Sequence, residues 1–447
     1  MSVLEEIFRL SWTSLAGICW PVLLFYYFCR SRTDGKYRRN YAARMGLSLP
    51  DSLPETEGGP LRRPRVWIHA LSVGETISSV PLVMELRQRD PELEILFSTA
   101  TETGMALAEG RLAGLVDSFF FMPHDFPWAI KNILRRLKPS LFVLIETDFW
   151  PNLLFQLRRE RVPAVLVNGR LSPGSSRKYS RLARIASMIF RRFDFIFSQT
   201  EEDRKRFVGL GGCPGRVIAA GNLKFEASML GRVTESEVES MRCELGLEPG
   251  RPVLVAGSTH EGEEAILLRI HRDLLVQIPD LLLIVAPRNP HRRLELEALC
   301  KSSDLGAGIR SKGESAAGRS VFLLDTLGEL SKAYGLCRIA FIGGSLVPLG
   351  GHNPLEAVAQ GKPVCWGPSF FNFSEIEKSL LDAGCGARLN SERDLLEFLS
   401  RILKGTELAN MARSAEHFAD SRRGTAKKIG SVLLGILQEV SYGEKKE

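Results

Sequence analysis

Several short stretches of the chain carry residues able to move protons or hold anions. The first is His69-Ala70-Leu71-Ser72-Val73-Gly74-Glu75, at the end of an apolar run. The pattern predicts that Glu75 falls in the first turn of the next helix. The helix dipole there favours the carboxylate and suits it to act as a general base. Gly74 would allow a tight turn or close approach by substrate. A Glu at this position also serves to satisfy the bare amides of a helix start, and spacing alone leaves both readings open. The second stretch, Glu146-Thr147-Asp148-Phe149-Trp150-Pro151, follows the very apolar LFVLI run, so its acids should sit at a strand end facing a cleft. The third, Asn222-Leu223-Lys224-Phe225, places one ammonium at the close of the first half. A surface ion pair explains Glu146 or Lys224 equally well.

The second half is denser. Gly257-Ser258-Thr259-His260-Glu261, Ala286-Pro287-Arg288-Asn289-Pro290-His291-Arg292, Asp325-Thr326-Leu327-Gly328-Glu329-Leu330 and Ile342-Gly343-Gly344-Ser345 each follow an apolar run. Gly350-Gly351-His352-Asn353-Pro354-Leu355-Glu356-Ala357 is the richest. Glycines beside a helix start bare their N–H groups to an anion, and Arg288 offers a fork for phosphate oxygens. Glu356 is placed to accept from ribose hydroxyls, as acidic residues do in dinucleotide folds. Together these describe a nucleotide site. No GxxxxGK[ST], GxGxxG or HExxH motif occurs, which argues against P-loop, dinucleotide and zincin chemistry. The seven histidines lack metal-ligand spacing, so no metal is expected, and His69 and His352 read as substrate contacts or their supports.

The elements that must position these groups follow from periodicity. Unalternating runs rich in Val, Ile, Leu and Phe predict strands at residues 66–70, 95–99, 118–121, 141–146, 164–168, 195–199 and 217–220. A second series is predicted at 253–257, 281–286, 321–325, 339–343 and 363–366. Helix-like stretches include residues 78–87, 128–137 and 180–192, and the Phe119–Phe121 run reads as core strand. An α/β fold results, with two doubly wound Rossmann-like domains facing a cleft. The boundaries fall at 65–225 and 251–405, with a polar linker over 226–250 and terminal helices over 406–447. The chain of 447 residues is too long for one core. Its net charge of +7 is too small to argue for nucleic acid. Eight scattered cysteines without a CxxC pair read as buried, reduced thiols of a cytosolic protein.

Residues 10–29 hold no charge, and twenty residues at about 1.5 Å each match the hydrocarbon core of a bilayer. Six basic residues follow between Arg30 and Arg44 against Asp34 alone. An N-terminal membrane anchor over 1–30 is therefore expected, then a basic juxtamembrane linker over 31–64, with the rest of the chain on the cytoplasmic side. Arg177, Lys178, Arg181, Arg184, Arg191 and Arg192 interleave with Leu182, Ile185, Met188 and Ile189. That basic amphipathic segment is either a solvated surface helix or a contact for anionic lipid.

The SVGE, ETDFWP, GNLKF, APRNPHR and GGHNPLEA segments, in that order, resemble the 3-deoxy-D-manno-octulosonic acid (Kdo) transferases, glycosyltransferases of GT-B fold. The resemblance runs from the anchor to about residue 390. It implies an inverting transfer of Kdo from CMP-Kdo to lipid IVA, the lipid A precursor, in lipopolysaccharide biosynthesis at the inner membrane. It implies no cofactor, an acceptor-binding first domain and a CMP-Kdo-binding second domain. By motif, Glu75 matches the proton acceptor, and Glu146 and Lys224 match transition-state stabilisers. Pro287, Arg288, Leu327, Gly328, Glu329, Asn353, Pro354, Leu355 and Glu356 match cytidylate-binding positions, with Leu327 standing in a methionine-like place. Ser258, Gly344 and Ser345 are further donor-site candidates, and Arg177, Lys178, Arg181 and Arg184 form an acceptor or membrane patch. Two rivals keep the architecture: a soluble sugar-nucleotide epimerase and a membrane-tethered binding module without catalysis.

Overall fold

The computed structural model describes residues 63–146 and 149–444, together with Glu6, residues 10–14, Gly17, Arg44 and Met45. For residues 375 and 441–444 it describes the backbone alone. The chain divides into two units, residues 1–227 with 424–447, and residues 228–423.

The first unit is built on strands β1 (Arg65–Ala70), β2 (Glu94–Thr99), β3 (Ser118–Phe121), β4 (Leu141–Ile145), β5 (Ala164–Gly169), β6 (Phe195–Ser198) and β7 (Val217–Ala219). They form one parallel sheet in the order β3-β2-β1-β4-β5-β6-β7. Every residue of β1 and β4 is buried, because helices cover both faces. Alternation along the strands serves two cores. Trp67, Phe142, Leu144 and Leu166 pack on one face, and Val66, Ile68, Val143 and Val165 on the other.

The second unit repeats the plan with β8 (Val253–Thr259), β9 (Leu282–Pro287), β10 (Ala307–Ile309), β11 (Val321–Leu323), β12 (Ile339–Ile342), β13 (Val364–Trp366) and β14 (Gly386–Arg388). Their order is β10-β11-β9-β8-β12-β13-β14, again parallel throughout. Strand order reverses between β1 and β4 in one sheet and between β8 and β12 in the other. Loops leaving the carboxyl ends on either side of such a point diverge and open a crevice.

Several expectations change. Residues 226–250 are not a plain linker. Glu226 ends up within helix Leu223–Met229, and Thr234 starts helix Glu235–Glu244 with a reciprocal capping box. The terminal stretch 406–447 splits between units. Helix Glu407–Ser421 stays with the second, while helix Thr425–Glu444 returns to the first and buries Ala426, Ile429, Leu433 and Leu437 against its sheet. Glu226 fixes the start of that helix, accepting from the Gly424 and Ala426 amides at 3.3 and 2.8 Å. The basic segment 180–192 is two helices, Pro173–Arg181 and Ala183–Phe190, broken where Leu182 leaves helical geometry. Of the described cysteines, Cys213 and Cys243 are exposed rather than buried.

Among the described residues no helix is long and apolar enough to cross a membrane. The anchor expected over 1–30 lies outside the described residues except for Glu6, residues 10–14 and Gly17. Trp12 Nε1 donates to Asp125 at 3.0 Å and the Thr13 hydroxyl to Asn152 at 3.2 Å, both within the first unit.

Leu433 is fully buried. Leu433→Ala should destabilise the full chain by about 2–5 kcal/mol, read by chemical denaturation. Lys427→Ala, on the exposed side of the same helix, should change stability by less than about 0.5 kcal/mol.

Candidate functional site

In the first unit the chemistry gathers on either side of the β1/β4 reversal. Helix Val73–Arg89 starts three residues after β1, and Glu75 is its third residue. The half-buried Glu75 carboxylate turns back to accept from the Leu71 amide. The bland reading is thus realised in part, because the acid does satisfy a helix-start amide, and that bond also orients it. Gly74 is exposed and helical, and a Cβ there would meet nothing within 4 Å. The turn does not require glycine, and the small residue leaves the approach to the helix start open.

Glu146 follows β4 with a left-handed backbone (φ 66°). Its carboxylate takes an ion pair from Lys224 at 3.2 Å and a hydrogen bond from Asn168 Nδ2 at 3.3 Å. Two residues distant in sequence are so brought together, and Thr147 and Asp148 beside Glu146 lie outside the described residues. Asn168, which sequence reading missed, is the hub. It is buried at the end of β5 with φ 59°, and its Oδ1 accepts from the Leu223 amide at 3.0 Å, directly before Lys224. Gln199 donates to the Asn168 carbonyl at 3.0 Å and receives Asn222 Nδ2 at 3.0 Å. The signal was present, since Asn tolerates the left-handed region, but nothing local named its partners.

His69 is not a substrate contact. It is fully buried, with Nδ1 against the Ser98 carbonyl at 3.1 Å and hydroxyl at 2.9 Å. A carbonyl can only accept, so Nδ1 carries the proton and Nε2 is bare. Burial pushes its pKa down to about 4.

In the second unit Arg288 follows β9 and is exposed. Its guanidinium makes no hydrogen bond or ion pair among the described residues, yet its charge reaches both His352 and Glu356. Pro287 is the buried last residue of β9. Burial raises the Glu356 pKa, while Arg288 and a hydrogen bond from Asn353 oppose the rise. Asn353 Oδ1 accepts from the Leu355 amide at 3.1 Å, and Pro354 leads into helix Leu355–Val358. That helix has only four residues, so the expected dipole is too short to matter and anion attraction falls to side chains. Gly351 is required, because a Cβ there would lie 2.2 Å from the Phe370 ring. Its amide bonds to the Gly344 carbonyl at 2.8 Å, holding His352 in place.

Leu327 is 83% exposed beside left-handed Gly328. Glu329 is already engaged: Arg310 reaches it at 2.6 and 3.1 Å, and the Thr326 hydroxyl donates to it. The Arg310 bond chiefly holds its pKa below the ordinary value. Arg310, at the end of the short edge strand β10, also pairs with Glu244 at 2.6 Å and had no readable signal. The amides of Gly344 and Ser345 are already engaged. With those of Leu346 and His260, they donate at 2.7–3.0 Å to Glu263, a fully buried carboxylate. A phosphate at those amides would have to displace that acid. Ser258 is left-handed (φ 57°), with its carbonyl pressed against Gly343.

Arg177, Lys178, Arg181 and Arg184 are all exposed, with no ion pair among the described residues, beside an exposed Leu182. Among the described residues no group of three or more His, Cys, Asp or Glu is placed to hold a metal. A groove of about 700 Å³ between helices Ser374–Asp382 and Glu407–Ser421 contains none of the candidate residues.

Comparison with known proteins gives a consistent picture. Residues 39–227 match the family described as 3-Deoxy-D-manno-octulosonic-acid transferase (kdotransferase). The chain is 36% identical over 392 residues to the 3-deoxy-D-manno-octulosonic acid transferase of Haemophilus influenzae, covering 87% of this chain and 89% of that protein. It is 31% identical over 434 residues to the Bordetella pertussis transferase, covering 94% and 95%. Among solved structures it is similar in fold to UDP-GlcNAc 2-epimerase from Neisseria meningitidis bound to UDP-GlcNAc. The TM-score is 0.55 and the identity 15%, over 83% of this chain and all of that one.

Folding keeps His69 neutral down to about pH 4, whereas the unfolded imidazole protonates near 6.5. The unfolded state therefore binds the extra proton, and stability falls as the pH drops from 6.5 to 4, by about 3 kcal/mol from this residue. Denaturant titrations across that range should show a shallower loss in His69→Gln than in the wild type.

Proposed function

Because this chain belongs to the 3-deoxy-D-manno-octulosonic acid transferase family, we propose that it moves Kdo from CMP-Kdo to a hydroxyl of lipid IVA, inverting the anomeric carbon. The observation that carries the donor assignment is Arg288. An exposed guanidinium with no bound carboxylate among the described residues, beside half-buried His352, Asn353 and Glu356, is a fork suited to an anion.

In this reading Glu75, oriented by the Leu71 amide, takes the proton of the acceptor hydroxyl. The oxygen attacks the anomeric carbon of Kdo, the bond to the phosphate oxygen breaks, and cytidylate departs with the electron pair. Arg288 meets the charge gained by the leaving group. Lys224, held by Glu146, offers a second cation to the negative charge on the departing cytidylate. Exposed Leu327 supplies apolar contact to the base, and half-buried Glu356 accepts from the ribose hydroxyls. The chemistry asks for no metal. The unpaired cluster Arg177, Lys178, Arg181 and Arg184 suits an anionic lipid surface, and we place the enzyme at the cytoplasmic face of the inner membrane.

The test incubates the protein with CMP-Kdo or UDP-GlcNAc, with and without lipid IVA, and follows products by mass spectrometry. Kdo on lipid IVA is expected; epimerised UDP-GlcNAc with no Kdo transfer would overturn the assignment. Glu75→Gln should lower turnover by about 10²–10⁴-fold with cytidylate affinity unchanged. Arg288→Ala should weaken cytidylate binding by about tenfold or more in a calorimetric titration.

A further inference from the structure

His260, just after β8, and His352, in the loop after β12, meet through their Nε2 atoms at 2.7 Å with ring planes within 3° of parallel. That separation holds one proton between the two nitrogens, so one ring donates Nε2–H and the other accepts on a bare Nε2. The accepting ring then carries its proton on Nδ1, and the donating ring leaves its own Nδ1 bare. One further proton can enter there, and the bond persists as a stronger, charge-assisted one. A second would set two N–H groups against each other. The pair therefore has two stable charge states, neutral and +1.

The surroundings favour the neutral state. Burial first, then His260 and Arg288, push the His352 pKa down to about 4. No carboxylate hydrogen-bonds either ring among the described residues. Glu263, below, binds only the His260 backbone amide and the loop amides. Glu356, on the following helix, has its charged form disfavoured by burial. An anion seated at the Arg288 fork would favour the charged state of the pair.

We propose that the His260–His352 pair is a second anion contact of the donor site, taking up one proton as a nucleoside monophosphate seats beside Arg288, so that binding and protonation are coupled. The proposal rests on the donor reading above. A phosphate charge about 4 Å away, at an effective dielectric of about 20, raises an imidazole pKa by about three. Such a charge opposes the burial and the Arg288 repulsion that lower the His352 pKa.

Cytidylate is titrated into the full chain by calorimetry at pH 7.5, in two buffers of different ionisation enthalpy. Uptake of about a quarter of a proton or more per ligand is expected in the wild type, with affinity falling several-fold from pH 6.5 to 8.5. His352→Asn and His260→Gln should each abolish the uptake and flatten that pH dependence, with melting curves confirming folded protein. Arg288→Ala should bind more weakly yet keep its uptake. Binding without uptake in the wild type, or uptake unchanged in both histidine variants, overturns the inference and leaves the donor reading standing. Failure of the wild type to bind cytidylate at all overturns the donor reading itself.

Discussion

A parallel sheet covered on both faces offers an ionisable side chain no place except the ends of its strands. This constraint governs where everything of chemical interest lies in both units. Glu75 and Glu146 follow β1 and β4, the two strands between which the first sheet reverses its order. His260 and the Gly343–Ser345 loop follow β8 and β12, the equivalent pair in the second. The backbone bends sharply at these ends. Glu146, Asn168 and Ser258 are three of six described non-glycine residues with positive φ, and each occupies a strand end in the candidate sites. Such conformations persist only where neighbours over-determine them, as Asn168 does with bonds to Glu146, Leu223 and Gln199.

Buried carboxylates decide which parts of the second unit can meet an anion. Glu263 occupies the amides of Gly344, Ser345 and Leu346, groups that would otherwise cradle a phosphate. The loop is thereby rigid but electrostatically closed. On the reading proposed above, recognition passes to Arg288 and the two imidazoles, of which His352 sits in a loop fixed by the Gly351–Gly344 bond. A side-chain site differs from an amide nest in one respect that matters: its charge can change with its ligand.

The sequence made the central strands legible because continuous Val, Ile, Leu and Phe runs have no other stable use. The strands it concealed, β10 and β14, are three-residue edges whose Ala-Gly-Ile and Gly-Ala-Arg lack any such run. Motif positions after strands were equally readable, as the placement of Glu75, Glu146 and Arg288 shows. Partnerships were not. Glu226 reads as the start of a linker, yet it caps a helix two hundred residues away. Glu329 reads as free for a ligand until Arg310 is found on it. Helix Thr425–Glu444 shows an apolar face in sequence, but periodicity cannot say against which sheet that face packs.

The two cations expected to act on substrate are held in opposite ways, and the contrast is informative. Lys224 is 46% exposed and paired with Glu146, a geometry worth less than about 1 kcal/mol to folding. Its pairing is therefore poorly explained by stability and better explained by aim. Asn168 fixes Glu146, and Glu146 fixes a flexible four-carbon arm whose ammonium would otherwise sample many positions. Arg288 has no such tether, because a planar fork needs its partner to be the ligand. A carboxylate bonded to Arg288 would compete with phosphate, whereas the carboxylate bonded to Lys224 neutralises only part of an ammonium that still has two donors to give.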